Sequence, residues 1–350
     1  MKKISKLGLS ALCGSLAAVS AAKAGEMTVT GNAHLTYTEL NNTVTGQPLG
    51  MKTNLSFVGN GELDGGQTFS VTIAHTDQNA WSSANITLNT NSLGTIKLSS
   101  AEGGGGIGGY DDNMPRAVEE VWDAGVATNV NLQKGVGSSM NLQWESPRIL
   151  ATTLRLAWTP DNAGSQVNDK SIGGATASDL GRGYDAVLRI NPSFGAFGAD
   201  LFVGYSESEK DNSTTAVAKK HENRHREGVG GLTLDLGPLS IGGQISGEYM
   251  PTIGVGDNEY YANSSFGAAF NVNDDLSVSY GEIRSMVANN ADVQQYTPKT
   301  EMTGESWQVA YTMGGISFKY ADTEITNAKY SKGTNADAPV SYTHLRAHET

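Results

Sequence analysis

Residues 27–38 read MTVTGNAHLTYT, and the order of those residues decides the fold. Val29, Gly31, Ala33, Leu35 and Tyr37 occupy every second position and are apolar or small. Thr28, Thr30, Asn32, His34 and Thr36 take the positions between. A period of two marks a β-strand with one face in an apolar medium and the other in a polar one. The same alternation recurs at Leu55, Phe57 and Leu63, at Phe69, Val71 and Ile73, and at Met140, Leu142 and Trp144. It continues at Leu154, Leu156 and Trp158, at Leu201, Val203 and Tyr205, and at Leu232, Leu234 and Leu236. It ends at Trp307, Val309 and Tyr311, then Ile316, Phe318 and Tyr320. Fifteen strands can be counted within residues 25–340, and none of that stretch shows a sustained helical stripe.

Composition narrows what such a chain can be. With 38% hydrophobic and 17% charged residues it has too little charge for a disordered chain, and a mean hydropathy of -0.32 excludes a bundle of membrane helices. An excess of Asp and Glu (36) over Lys and Arg (24) argues against a nucleic-acid partner. A single cysteine, Cys13, excludes a disulfide framework.

Both ends are set aside. Residues 1–24 have the form of a secretory signal: Lys2, Lys3 and Lys6, then an apolar run from Leu7 to Ala21, then Ala22-Lys23-Ala24 as a small-residue cleavage site. Its removal takes four lysines and no acid, so the charge goes from -12 to -16. Residues 341–350, SYTHLRAHET, fit none of the surrounding pattern and look like a foreign, read-through tail.

Two features separate a membrane barrel from a soluble sandwich. Tyr37, Trp144, Trp158, Tyr205, Tyr249, Tyr280, Trp307, Tyr311 and Tyr320 lie on the apolar face near strand ends, and Tyr184 near a strand start, where amphipathic rings meet a membrane–water interface. Connections alternate between short turns, as at 64–66, 91–94 and 237–238, and longer loops, the longest at 101–138. The fold class is therefore all-β: a transmembrane, antiparallel, up-and-down β-barrel. Unpaired strand edges are not tolerated in a bilayer, so fifteen strands require a sixteenth, which the foreign tail would have replaced.

Thr53–Leu63 (TNLSFVGNGEL), Ser92–Leu98 (SLGTIKL), Gly108–Trp122 (GGYDDNMPRAVEEVW), Leu276–Gly281 (LSVSYG) and Ser306–Gly315 (SWQVAYTMGG), in that order, resemble the general bacterial porins in the form typical of alphaproteobacteria. The resemblance implies a 16-stranded outer-membrane barrel, a homotrimer, and a third long loop between strands five and six folded into the pore. The 101–138 connection falls there. It also implies a terminal aromatic strand, which this chain lacks. Porins pass small hydrophilic solutes and ions passively, so no catalytic residue and no cofactor is expected.

In the family, acids on the inward loop face bases on the wall. The loop acids here are Asp111, Asp112, Glu119, Glu120 and Asp123, with Arg116 the only base between Ala101 and Gln133. Parity points His34, Lys52, Lys97, Arg155 and Arg189 into the lumen, because a base facing lipid at the midplane costs about 2–4 kcal/mol. The acid excess predicts a mild cation preference. Asp111-Asp112-Asn113 offers oxygen ligands for Ca²⁺.

Two sharper motifs fail on context. His221-Glu222-Asn223-Arg224-His225 matches the zinc-protease HExxH but lacks the apolar helix face that motif needs. Gly104, Gly106 and Gly109 spell GxGxxG, but Pro115 and only about two helical turns at 117–122 follow, so no βαβ unit is available. A substrate-specific channel with an aromatic track is the runner-up, with Phe202 and Tyr261 as its lumen-facing rings. A soluble secreted adhesin comes third.

Overall fold

The computed structural model describes residues 27–38, 49–63, 65–76, 83–100, 104–126, 128–137, 139, 141–160, 162, 180–210, 223–251, 256–290, 296–298, 300–313 and 316–346. The signal at 1–24 lies outside them. The strands follow in chain order as β1 (Met27–Thr38), β2 (Leu49–Glu62), β3 (Thr68–Thr76), β4 (Ser83–Asn89), β5 (Thr95–Ser100), β6 (Asn141–Glu145), β7 (Thr152–Thr159), β8 (Leu180–Ile190) and β9 (Ser193–Phe194). Next come β10 (Phe197–Lys210), β11 (Asn223–Leu236), β12 (Leu239–Tyr249), β13 (Asn258–Asn271), β14 (Leu276–Asn290), β15 (Tyr296–Pro298), β16 (Met302–Met313), β17 (Ile316–Thr326) and β18 (Ala336–Arg346).

Every pairing is antiparallel, and the ladders run in a ring. Each strand bonds the next, β8 reaches β10, β14 reaches β16, and β18 bonds both β17 and β1. The two- and three-residue pieces β9 and β15 sit beside the wall, so the ring has sixteen strands. Closure leaves no edge whose backbone groups would go unpaired in hydrocarbon.

The closing strand corrects the sequence reading. Its place is taken by Ala336–Arg346, pairing Thr38 with Val340 and Asn32 with Arg346 on one side and Tyr320 with Ser341 on the other. This segment includes six residues of the stretch read as a foreign tail and the five residues before it. The reason is physical: a ladder needs extended backbone, not a particular sequence. Here the backbone is extended, and Ala338 and Val340 turn inward and are buried.

The faces are inverted relative to a soluble protein. Leu142, Leu156, Leu188, Leu201, Val203, Leu232, Phe266, Val309 and Phe318 are between 41% and 60% exposed on the outside. The inward residues between them, among them Asn141, Gln143, Asp185, Ser206, Gln244, Ser279 and Gln308, are buried. A water-soluble monomer does not expose an apolar belt of this extent, which removes the adhesin alternative and fits lipid. Rings border the belt: Trp158 is the register partner of Tyr184, and the hydroxyls of Tyr184 and Tyr205 bond Glu207 at 3.1 and 2.9 Å. Tyr280 packs on Trp307 with centroids 4.6 Å apart. The apolar core lies inside the barrel, between the long loop and the wall. Ile107, Tyr110, Val187, Phe202 and Val229 form one cluster; Val121, Val126, Ile283, Met302, Ile325 and Val340 belong to the other.

Candidate functional site

The connection between β5 and β6 does fold inward, and polar side chains of the wall hold its backbone. It starts with a short 3-10 helix, Gly106–Tyr110. Asp185 on β8 accepts Ile107 N–H at 2.9 Å from the outgoing arm and Val136 N–H at 3.2 Å from the returning arm. One buried carboxylate thus clamps both roots of the loop. Gln244 on β12 accepts Asn113 N–H at 3.3 Å and donates to Asp111 O at 3.0 Å. Ser279 on β14 accepts Ala117 N–H at 2.8 Å. Gln308 on β16 accepts Val118 N–H at 2.9 Å and donates to Glu119 O at 2.6 Å. The far turn meets the 326–335 connection where Lys329 N–H bonds Thr128 O at 3.0 Å. On the way back Asn263 donates to Asn131 O at 2.8 Å, and Glu227 accepts the N–H groups of Lys134 and Gly135, both at 2.8 Å. The loop therefore lines the wall from β8 round to β18. Its two roots also meet β6 and β7, where Asn141 donates to Ser139 O at 2.7 Å and Arg155 stands over Tyr110.

A floor of small residues lets the loop lie that close. Gly242, Gly267 and Gly281 are successive register partners on β12, β13 and β14. A Cβ on Gly267 would meet Pro115 O at 2.5 Å, and one on Gly281 would meet Val121 Cγ2 at 2.8 Å. Much of the glycine content serves this contact.

The charged residues come together more tightly than parity alone suggests. On the loop, Arg116 folds back to Asp112 at 3.1 Å and to the buried Glu120 at 2.5 Å, and donates to Asp112 O at 2.5 Å, tying the tip into a knot. Glu119, Glu120 and Asp123 bring ligand oxygens within 4.8 Å of one another. The Asp111 carboxyl is pushed up to about 6, chiefly by burial and then by Asp112 beside it. Glu120 is pushed up too, by burial and by its hydrogen bond with Glu119, against the pull of Arg116.

On the wall, Arg155 on β7 pairs with Glu145 at 2.6 Å and stands 5.6 Å over the ring of Tyr110. Arg189 on β8 makes a two-pronged pair with Asp200 at 2.7 and 2.5 Å. Lys97 on β5 shares a cavity of about 250 Å³ with Gly104, Gln143, Glu145 and Arg155 at the root of the loop. Two of the five wall bases, Arg155 and Arg189, are thus matched by carboxylates of the wall itself. His34 and Lys52 are register partners on β1 and β2, but their side chains lie outside the described residues.

Other expectations change. Asp111 and Asp112 belong to no group of three clustered carboxylate or imidazole ligands among the described residues. Phe202 is buried under Tyr110 at 4.9 Å, and Tyr261 stands 6.0 Å from Tyr330, so both rings anchor loops and make no aromatic track. Residues 117–122 form bends and turns, not helix. Of HExxH, His221 and Glu222 lie outside the described residues, and His225 sits on a strand. Asp185, Glu227, Gln244, Ser279 and Gln308 were not singled out from the sequence. Their parity was readable, but their loop partners lie 49 to 190 positions away.

No protein-family model and no curated protein matches the sequence. Solved structures do. Pseudomonas putida OprB aligns over 91% of this chain and 94% of its own at 11% identity, with a TM-score of 0.61. The barrel has the porin fold. Salmonella typhi OmpF in complex with daunomycin covers 92% of this chain and 98% of its own at 11% identity and a TM-score of 0.60. An anion-selective porin from Comamonas acidovorans covers 92% and 100% at 12% identity and a TM-score of 0.58. At such identities the likeness is one of porin architecture.

Proposed function

We propose that this chain is an outer-membrane porin: a water-filled channel for passive diffusion of small hydrophilic solutes and ions, working as a homotrimer and exported by the segment at 1–24. The observation that carries this reading is the loop hydrogen-bonded along the inner wall from β8 to β16 of a ring whose outside is apolar. A barrel filled by its own side chains would have no use for such a loop; a pore that must be narrowed does. No side chain needs to do chemistry. Selection rests on the gap that the loop leaves in the lumen and on the charges at its rim.

Those charges favour cations. The 101–138 loop offers six acids, Glu102 among them, against Arg116 and Lys134, and Arg155 and Arg189 are each matched by a carboxylate. The alphaproteobacterial form rests on the sequence resemblance. In a planar bilayer with a KCl gradient, the reversal potential is expected to have the sign of cation selectivity at pH 8. Protonating Asp111 as the pH falls through about 6 removes a lumen charge, so the preference is expected to shrink between pH 8 and pH 5. Anion selectivity at pH 8, or a preference that grows on acidification, would contradict the assignment.

A further inference from the structure

Under the returning arm of the loop three ionisable side chains meet that diffusion does not require. His225 and Glu227 are two positions apart on β11 and face the same way, and Glu248 on β12 is the register partner of Glu227. They are only 4%, 3% and 7% exposed. A ring nitrogen of His225 and one oxygen of each glutamate lie within 4.8 Å of one another. The Nε2 of His225 is 2.8 Å from Glu248 Oε1, while its buried Nδ1 has no hydrogen-bond partner.

Two glutamates directly opposite in a ladder repel each other, and burial sharpens the cost. With the ring neutral and both carboxylates ionised, the trio carries two negative charges, which a divalent cation balances. Nε2 is the ring nitrogen that faces Glu248, and in the tautomer protonated at Nδ1 its lone pair is turned toward the carboxylates and can ligate. One imidazole and two carboxylates form a mixed nitrogen and oxygen donor set, which suits a borderline transition ion better than Ca²⁺ or Mg²⁺, whose sites are built of oxygens alone. The outer partners that such a site needs are present: Lys134 and Gly135 N–H groups bond Glu227, and the Asn131 amide donates to Glu248. All three belong to the loop.

We propose that His225, Glu227 and Glu248 bind a divalent transition-metal ion, with Zn²⁺ the type case, and that this ion ties the returning arm of the loop to the wall. The test uses the full chain refolded in detergent, titrated with Co²⁺ and followed by visible absorption, then with Zn²⁺ by calorimetry. One equivalent of Co²⁺ is expected to give a ligand-field band that Zn²⁺ removes and that Ca²⁺ or Mg²⁺ in large excess does not. The band is expected to vanish in His225→Ala and in Glu227→Gln but to persist in His221→Ala. The gel shift of an unheated, folded barrel checks each variant, and Glu227→Gln, which keeps the side-chain volume, carries the test if His225→Ala does not fold. Absence of binding, equal competition by Ca²⁺, or loss in His221→Ala with retention in His225→Ala would overturn the proposal. These readouts are independent of whether the barrel conducts.

Discussion

Replacing Asp185 by alanine is expected to destabilise the folded chain by about 2–6 kcal/mol, because two buried N–H groups each lose an acceptor at about 1–3 kcal/mol. The groups are Ile107 N–H on the outgoing arm and Val136 N–H on the returning arm. Few substitutions elsewhere would free both ends of one element at once. The loss should appear in urea unfolding of the chain in lipid vesicles. It should also appear in planar bilayers as increased open-channel noise, because the apolar contacts of Ile107 with Val187 and Phe202 would no longer be held in register. Asp185→Asn keeps a carbonyl acceptor and should recover part of both effects. If alanine and asparagine were both neutral, the carboxylate would not be the clamp that the geometry makes it.

Gly267→Leu should act from the opposite direction, by pushing on the loop. The added Cβ alone would sit 2.5 Å from Pro115 O and 3.2 Å from Met114 Cβ. Overpacking of this kind costs about 1–3 kcal/mol. The loop is held on both flanks, by Gln244 and by Ser279, so segment 114–121 is expected to relieve the clash by moving off the wall into the lumen. Single-channel conductance is therefore expected to fall, with Gly267→Ala intermediate. Gly243→Ala, on the outward face of β12 with its nearest neighbour 3.8 Å away, should leave both stability and conductance close to wild type. Equal effects at Gly243 and Gly267 would mean that the loop does not rest on this floor.

The fold was legible because a membrane barrel writes its two solvents into alternate residues. The segment 27–38 shows the rule, and the outward Leu201, Val203 and Tyr205 obey it in three dimensions. The long loop was legible from its length, and its inward fold from the resemblance to porins. The closing strand was not, because Ser341–Arg346 was judged by the company it keeps in sequence, whereas a backbone ladder asks only for extended geometry. Asp185, Gln244 and Gln308 show a second limit. Parity turns them inward, but nothing local tells a residue that bonds a loop from one that meets water. The wall bases show a third. Arg155 and Arg189 read as free positive charges until Glu145 is seen directly across the ladder from Arg155 and Asp200 on the strand beside Arg189, ten and eleven positions away in sequence. The floor of Gly242, Gly267 and Gly281 was hidden for the same reason: glycine on a strand reads as weakness until the segment it admits is known.

The most direct measurement is the current through single channels of Asp123→Cys in a planar bilayer while a charged, water-soluble thiol reagent is added. Asp123 is exposed on the loop, and the single cysteine of the sequence, Cys13, falls in the segment proposed to be a signal. The account requires discrete conductance steps before the reagent and stepwise partial block after it, with no block in Leu201→Cys on the lipid face. A chain that inserts without conducting, or one blocked at position 201 and untouched at position 123, would contradict a water-filled barrel narrowed by this loop.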